Sequence, residues 1–451
     1  MSPTRMIRCA VWCLGAAVAS SAGALALTDE EIFRDFPFNL QNPGGRALGI
    51  GGAFISLADD SSAAQANPAG LARLRRPELF AELRAFSHDA SATRISVPLD
   101  TNVFTGTLAA GADVDPAGAV RPAFLSYVLP GRLVSFGFSR MESLDVRARA
   151  KNSFSVTGLR RVFDVGPDGR PVPAGTEVVD QEAIAEADVA TKIEQYNVAV
   201  SVALHRRFSI GLTAVFGRID IDGRTDNLFR DRSVTDSVPV LDYATRIDDS
   251  DTALGANVGI LWRPTDHLSF GAVYRRGLRF EVRETVPEVG ANAPSVREQF
   301  GAEFANKIAT PDSYGIGVAF RPTEPLTFFL DAVRVEYSDL LEGYIAGLNR
   351  ITFPDRETPF AVDDGTEIHF GVEKLFLAGS VPVAARIGVW TDPDHRIRST
   401  APGLDQVFPA GDDLTHYSAG VGVTLDRIQF DFAVDRSRDS ATMVASTIYR
   451  F

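Results

Sequence analysis

The feature that most constrains this chain is an apolar–polar alternation with a period of two residues, which recurs from residue 77 to the C-terminus. In segments 196–204 and 208–216, bulky apolar residues occupy every second position, with mostly small or polar residues between them. Successive side chains of a strand point to opposite faces, so each segment predicts a strand with one apolar face. A soluble β-sandwich gives the same alternation, which therefore does not choose between the two architectures.

The lengths of the breaks between these segments do choose. Short breaks, such as 130–131 and 206–207, alternate with long ones, such as 142–192 and 221–252. Short turns at one end and long loops at the other are typical of an outer-membrane barrel, whereas a sandwich has no reason to sort its loops in this way. We therefore predict an all-β fold, a fourteen-stranded antiparallel transmembrane β-barrel, unless an extra hairpin at 92–110 raises the number of strands to sixteen. The predicted strands are 77–87, 120–129, 132–141, 193–205, 208–220, 253–263, 267–281, 312–321, 325–338, 366–376, 382–391, 414–425, 428–436 and 442–451.

Residues 1–26 have the layout of a secretory signal peptide. A basic start with Arg5 and Arg8 precedes an apolar run and a small-residue cleavage site at 24–26. The apolar run is shorter than the roughly 20 residues of a spanning helix, which disfavours a membrane anchor. Cys9 and Cys13 are the only cysteines, so the mature chain would have no thiol, as suits export to an oxidising compartment. We expect the mature protein in the outer membrane of a Gram-negative-type bacterium.

Residues 27–76 do not alternate, and we expect them to form an N-terminal hatch inside the barrel, which spans 77–451. About eight strands close around side chains alone, whereas fourteen leave a lumen to fill. Asp60 or Ser61 is expected to cap a short helix that ends before Asn67-Pro68. The glycines at 49–52 permit close backbone approach, but their spacing is not that of a phosphate-binding loop.

The final strand carries Tyr449 and the terminal residue Phe451 on one face. A terminal Phe with an aromatic residue two positions before it resembles the sorting signal read by the barrel-assembly machinery. The alternative is chance, but the predicted signal peptide and the alternation of loop lengths indicate the same destination.

Residues 46–54, Asp59-Asp60 and Asn67-Pro68-Ala69 resemble the hatch of the FadL family, which comprises outer-membrane transporters of long-chain fatty acids and other hydrophobic compounds. Similar segments follow in the family's order at 311–315, 337–338, 386–390 and 449–451, so the resemblance covers nearly the whole mature chain. It implies passive transport, in which a ligand is captured near the outer loops, passes an apolar site beside the hatch and leaves through a gap in the wall. The hatch motif would comprise Gly49, Gly51, Gly52, Asn67, Pro68 and Ala69.

By position, the resemblance assigns ligand capture to loops 221–252 and 282–311. Residues 296–307 have helical spacing with one apolar stripe, which makes Phe300 and Phe304 candidates for capture, unless the helix only packs on the loop layer. A carboxylate head group would also require a cation. By alternation, we predict that four arginines lie on the small-residue, luminal face as candidate partners, although each is more simply explained as a luminal arginine paired with an acid: Arg275, Arg279, Arg334 and Arg386.

Other functional classes have less support. A net charge of −13 disfavours nucleic-acid binding. No nucleophile elbow occurs, and although His369 and Glu373 share a face, a luminal hydrogen bond explains His369 better than acid–base or metal chemistry. We therefore expect no enzyme activity, no metal and no cofactor. The expected partners of the monomer are a hydrophobic small molecule, outer-membrane lipids and the barrel-assembly machinery. The alternatives are a barrel scaffold of a secretion or assembly system and, third, a lipid-modifying enzyme.

Overall fold

The computed structural model describes residues 40–88, 93–100, 104–116, 119–165, 171–290, 303–342, 360–400 and 410–451. The expected signal peptide lies outside these residues. Within them, no helix combines the length and the apolar character needed to cross a membrane.

Strands dominate the described chain. In order they are β1 (Glu78–His88), β2 (Thr93–Asp100), β3 (Phe104–Pro116), β4 (Ala119–Leu129), β5 (Val134–Val165), β6 (Pro171–His205), β7 (Phe208–Asp231), β8 (Val240–Trp262), β9 (Leu268–Arg276), β10 (Arg279–Val289), β11 (Glu303–Ala309), β12 (Ser313–Thr323), β13 (Leu326–Val335), β14 (Phe360–Ala361), β15 (Gly365–Ala378), β16 (Val381–Asp392), β17 (Arg398–Ser399), β18 (Leu414–Leu425), β19 (Ile428–Arg436) and β20 (Ser440–Arg450).

Fourteen of these strands close into one antiparallel ring, which confirms the predicted barrel. Closure comes from the pairing of β1 with β20. The ring then runs through β4, β5, β6, β7, β8, β9, β12, β13, β15, β16, β18 and β19. The hairpin considered at 92–110 exists as β2 and β3, but β3 pairs with the distal half of β5, so the ring is not enlarged to sixteen strands.

The two ends of the ring differ as the break lengths predicted. Apart from the three-residue turn 437–439 between β19 and β20, the turns of two to five residues between ring strands, such as 206–207 and 426–427, lie at one end, which we call the short-turn end. The backbone N–H of Phe451 donates to the carbonyl of Pro77 there, at 3.1 Å. The opposite end, the long-loop end, carries the longer connections.

The outward face of the ring forms an apolar belt. On β7, Leu212 and Phe216 are exposed while Thr213 and Val215, between them, are buried against the lumen. From Arg218 onward the outward positions of this strand become charged, so the belt ends there. An outward apolar band flanked by polar wall is what a barrel needs in order to sit in a bilayer.

The wall is much taller on one side than on the other. The strand β6 has 35 residues and β5 has 32, whereas β9 has 9. Because roughly 9–11 residues cross a bilayer, β5 to β8 extend far beyond the belt at the long-loop end. The predicted loops 142–192 and 221–252 are therefore wrong, since they are mostly strand. Their outward side chains are charged, which hid the alternation.

Residues 40–76 fill the lumen with α1 (Gly45–Gly49), α2 (Ala63–Ala66) and a 3₁₀ helix (Pro68–Arg73). Polar side chains from around the wall bind this hatch: Ser446 Oγ accepts from Gly45 N at 3.0 Å, and Thr213 Oγ1 donates to Ala64 O at 3.0 Å. Wall glycines make the necessary space. A Cβ on Gly259 would lie 2.0 Å from Asn67 Oδ1, and several other wall glycines are equally close to the hatch: Gly211, Gly271, Gly371 and Gly388.

Candidate functional site

The glycine turn of the hatch lies against the wall at mid-lumen. Gly51 and Gly52 have φ values of +67° and +82°, a conformation that favours glycine. Gly49 lies in α1, with the backbone of Gly420 close to it. Ser418 Oγ accepts from Gly51 N at 2.9 Å, and His369 Nδ1 lies 2.6 Å from Gly51 O. These contacts fix the turn rigidly to β15 and β18.

His369 forms the luminal hydrogen bonds expected of it. Its Nε2 lies 3.0 Å from Glu367 Oε2 and its Nδ1 contacts Gly51 O, so both ring nitrogens face acceptors and the geometry suits the doubly protonated ring. Glu373 binds two arginines instead of His369, so the acid–base pair of the enzyme hypothesis is not formed.

Asn67 joins the hatch to the wall. Its Oδ1 accepts from Ala69 N at 3.1 Å, while its Nδ2 donates to Ile55 O at 2.9 Å and to Ile260 O of β8 at 3.1 Å. The helix α2 ends at Ala66 as predicted, but it begins after Ser62, and Pro68 starts a 3₁₀ helix in place of a simple stop. The Asn-Pro-Ala segment thus sets both the fold of the hatch and its attachment.

A chain of buried ion pairs also anchors the hatch. Arg46 of the hatch pairs with Glu373 at 2.9 Å, Glu373 with Arg386 at 2.7 Å, and Arg386 with Asp431 at 2.6 Å. Burial lowers the pKa of Arg46, but Asp59 and Glu373 outweigh this effect and raise it well above its usual value. Arg386 is luminal as predicted, and it is paired with an acid, Asp431, as in the alternative interpretation; its second partner, Glu373, was not predicted.

Arg275 is the luminal arginine that forms no ion pair within the described residues. Its guanidinium donates to Asn42 Oδ1 at 2.9 Å and to Ala66 O at 2.7 Å, which are neutral acceptors. Glu367 and Asp331 act on this cation only from beyond ion-pair distance, so the position still suits an anionic ligand group.

The luminal positions predicted for Arg279 and Arg334 are wrong. On β9 the odd-numbered residues point inward, but the strand breaks at Gly277 and the even-numbered residues Leu278 and Phe280 point inward after it. Arg279 therefore points outward. It pairs there with Asp339 at 2.9 Å, within a carboxylate group that also includes Asp312 and Glu336. Arg334 also points outward, beside Asp364. The inward face of β13 carries the polar residues Thr327 and Asp331, so their polarity was the available sequence signal for its facing.

The luminal face of the tall wall carries an apolar cluster at the long-loop end. Leu278, Phe280 and Val282 of the β9–β10 region pack there against residues of β5 to β8 and are fully or nearly fully buried. The continued alternation at 219–221 and 280–282 was the available sequence signal, which the loop prediction overlooked. We call this the outer apolar cluster; it comprises Leu144, Ala187, Val189, Ile193, Val215, Ile219, Ile221, Ile247, Leu278, Phe280, Val282 and Ile308.

Of the two phenylalanines predicted for capture, the structure describes the backbone of Phe304. Phe300 lies outside the described residues. The helix predicted over 296–307 is wrong from residue 303 onward, because Phe304 belongs to β11 and pairs in register with Glu284 of β10. Backbone pairing with a neighbouring strand outweighs a weak helical spacing. The role of both residues in capture stays a prediction.

The wall is interrupted beside the outer apolar cluster. Pairing between β8 and β9 stops at Ala256 with Arg276, and pairing between β8 and β10 begins only at Ile247 with Glu284. Two side chains span the interval: Asp251 Oδ2 accepts from Glu281 N at 2.8 Å, and Asp249 Oδ2 accepts from Arg283 N at 2.9 Å. We call this interval the wall break; carboxylates replace backbone carbonyls there, a local irregularity of the kind produced by bulges.

The luminal face of β15, β16 and β18, across the ring from the outer apolar cluster, is polar. His369, Trp390 and His416 are in register on β15, β16 and β18 and stack with centroid distances of 5.3 and 4.0 Å. Beyond β16, burial lowers the pKa of His395, but its hydrogen bond and charge interaction with Asp392 outweigh burial and raise it to about 9. The lumen therefore offers an apolar wall on one side and charged groups on the other.

Fold and site together define a β-barrel whose lumen is filled by its own N-terminal segment. No family model matches the sequence, and no curated protein matches it. The structure is similar to a FadL homologue of Pseudomonas aeruginosa, with a TM-score of 0.61 and 15% identity. It is also similar to the toluene transporters TbuX of Ralstonia pickettii and TodX of Pseudomonas putida, each with a TM-score of 0.51, at 12% and 14% identity.

Each comparison covers 92% of this chain and 99% of the other chain. At these identities the similarity establishes a shared fold. This chain therefore has the fold of the FadL-type barrels, as the sequence resemblance implied.

Proposed function

We propose that this protein is a passive channel for hydrophobic compounds in the outer membrane of a Gram-negative-type bacterium. The observation that carries the proposal is the outer apolar cluster, formed by inward side chains that pack closely on one another beside an interruption in the wall. The apolar belt suits a bilayer, and the short-turn end would face the periplasm, as in barrels of this kind.

Capture would be driven by burial of the solute in the outer apolar cluster. Each buried CH₂ contributes roughly 0.8 kcal/mol, so a chain of ten carbons gains about 8 kcal/mol before the cost of ordering it. The solute would wedge between side chains such as Leu278 and Phe280, which are fully or nearly fully buried against one another in the unliganded protein.

Exit would occur through the wall break. Its two carboxylate-to-backbone bonds, from Asp249 and Asp251, replace a longer run of ladder bonds, so this is the part of the wall that parts most easily. Leu278 of the outer apolar cluster lies directly at the interval, with Gly217 and Gly255 leaving room for it. A solute held in the cluster is thus already next to the opening.

Long-chain fatty acids are the solute class that the lumen suits best. Arg275 has two neutral acceptors and no carboxylate partner within the described residues, so a carboxylate head group would complete its contacts. Toluene, which the neighbouring transporters carry according to their names, has no such head group. Replacing Arg275 with Gln should therefore reduce uptake of labelled oleate and leave uptake of labelled toluene unchanged.

Uptake by cells expressing single variants tests the apolar site. Phe280→Ser should lower oleate uptake strongly, because it places a hydroxyl in the outer apolar cluster. Phe432→Ser, at an exposed position of the belt, is the matched control and should not. Equal uptake by both variants, with equal amounts of folded barrel, would refute capture in this cluster.

A disulfide across the wall break tests the exit. Asp251→Cys with Glu281→Cys should block uptake when oxidised and restore it on reduction. Leu212→Cys with Val258→Cys joins β7 and β8, which are paired normally, and should have no effect. Normal uptake through the oxidised first pair would rule out this exit while leaving capture untouched.

A further inference from the structure

A cavity of about 70 Å³ opens at the short-turn end, between the hatch and the wall. It is far from the outer apolar cluster, and no step of the proposed transport uses it. Its volume exceeds the roughly 30 Å³ that one water occupies in the liquid. The hatch contributes Ser56, Leu57, Asp59 and Arg73, and the wall contributes Arg263, Asp266, His267, Leu268, Ser269, Ala319, Arg321 and Thr327.

Cations dominate the lining of this cavity. Three guanidiniums face it from three different elements: Arg73 of the hatch, Arg263 after β8 and Arg321 of β12. Of the two lining carboxylates, Asp59 is shared with Arg46, with which it pairs at 2.7 Å, so the three lining arginines outnumber the acids that oppose them.

The guanidiniums are held in place although they repel one another. Arg73 Nη1 donates to the carbonyl of Arg206 at 3.1 Å, and Arg321 Nε donates to Thr327 Oγ1 at 3.3 Å. Burial lowers the pKa of Arg73 and the positive charge of Arg263 lowers it further, and the opposing effects of Asp59 and Asp266 do not restore it. An anion between these groups would relieve the repulsion.

A second and independent observation is the hydroxyl of Ser56. The residue is 1% exposed, and its Oγ has no hydrogen-bond partner among the described residues. Its own carbonyl is satisfied, since Ser269 Oγ donates to it at 2.7 Å. Buried polar groups normally find a partner, so a residue that lines the cavity with an unpaired hydroxyl leaves a hydrogen-bond donor available to a ligand.

We propose that this cavity is a binding site for a small oxyanion, a phosphate or carboxylate group, held by Arg73, Arg263 and Arg321 and by the hydroxyl of Ser56. Guanidiniums donate paired hydrogen bonds to such groups, and a serine hydroxyl adds one more donor. The group has two possible sources: a free anion of the periplasm, or the head of an amphiphile that reaches the hatch from below.

Equilibrium dialysis of the purified full-length barrel in detergent against labelled inorganic phosphate tests the site. We expect saturable binding of one phosphate per chain, weakened about tenfold or more by Arg263→Gln, because a hydrogen bond to a charged group is lost. Ser56→Ala keeps the charge and should weaken binding by a smaller factor. Arg132→Gln, at an exposed turn of the same end, should leave binding unchanged.

Absence of saturable binding to the unaltered protein would overturn the proposal. Equal weakening by Arg132→Gln would also overturn it, because binding would then follow the overall charge. The heat-induced gel shift of each variant shows that its barrel is folded. Competition identifies the source: octanoate displacing phosphate far better than acetate does would indicate an amphiphile head, and equal displacement would indicate a free anion.

Discussion

Replacing Arg386 with Met should release the hatch without unfolding the barrel. The guanidinium is 2% exposed and binds Glu373 at 2.7 Å and Asp431 at 2.6 Å, whose side chains are 3% and 1% exposed. Removing one partner of such a buried group leaves uncompensated charge and typically costs about 3–5 kcal/mol. The ring keeps its ladder bonds, so we expect the loss to appear as local opening of the hatch.

Maleimide labelling of a reporter cysteine, Ala64→Cys, measures this opening, because position 64 is fully buried between the hatch and the barrel wall when the hatch is closed. A loss of 3 kcal/mol raises the open population, and with it the labelling rate, by about 100-fold. Adding Asp431→Asn to Arg386→Met should slow labelling again, because it removes one of the unpaired charges. A labelling rate unchanged by Arg386→Met would refute the view that these ion pairs hold the hatch.

Three further outcomes are expected. Leu212→Arg, on the outward belt, should lower the free energy of unfolding in lipid vesicles by about 2–4 kcal/mol, and a smaller change than Leu212→Ala produces would contradict the lipid-facing assignment. Protonated His395 should stabilise the segment after β16 fully at pH values below the ordinary histidine pKa of the unfolded chain, and this stabilisation should be lost as pH rises through about 9. Hydrogen exchange at 393–397 measures the loss, and His395→Gln should remove this pH dependence. Gly259→Val would place a Cβ 2.0 Å from Asn67 Oδ1 and should accelerate the same cysteine labelling of the hatch, whereas an unchanged rate would place the hatch elsewhere.

The ring and its filling could be predicted because they depend on local rules. Alternation sets strand facing, and turn lengths set the two ends, so fourteen strands followed from positions such as 206–207 and 426–427. The hatch followed from the absence of alternation before residue 77 and from Asn67-Pro68.

The site depended on features that spacing does not reveal. One irregularity at Gly277 reversed the facing of every later position of that strand, which misplaced Arg279 and concealed Leu278 and Phe280. The wall break depends on Asp249 and Asp251 replacing main-chain acceptors, and the sequence shows these residues only as two acids among many. Pairing between distant segments, not local pattern, decided these features.

The unequal height of the wall has a consequence for the first encounter with a solute. At roughly 3.3 Å per residue, the 35 residues of β6 have a contour length of about 115 Å, whereas the 9 of β9 measure about 30 Å. In the proposed orientation, the part of the tall wall that extends beyond the apolar belt projects outward through the saccharide layer of the outer leaflet. A hydrophobic molecule diffusing in water would then contact the protein tens of ångströms before it reached any lipid. It could move toward the membrane along the inner face of the wall without partitioning into the saccharide layer.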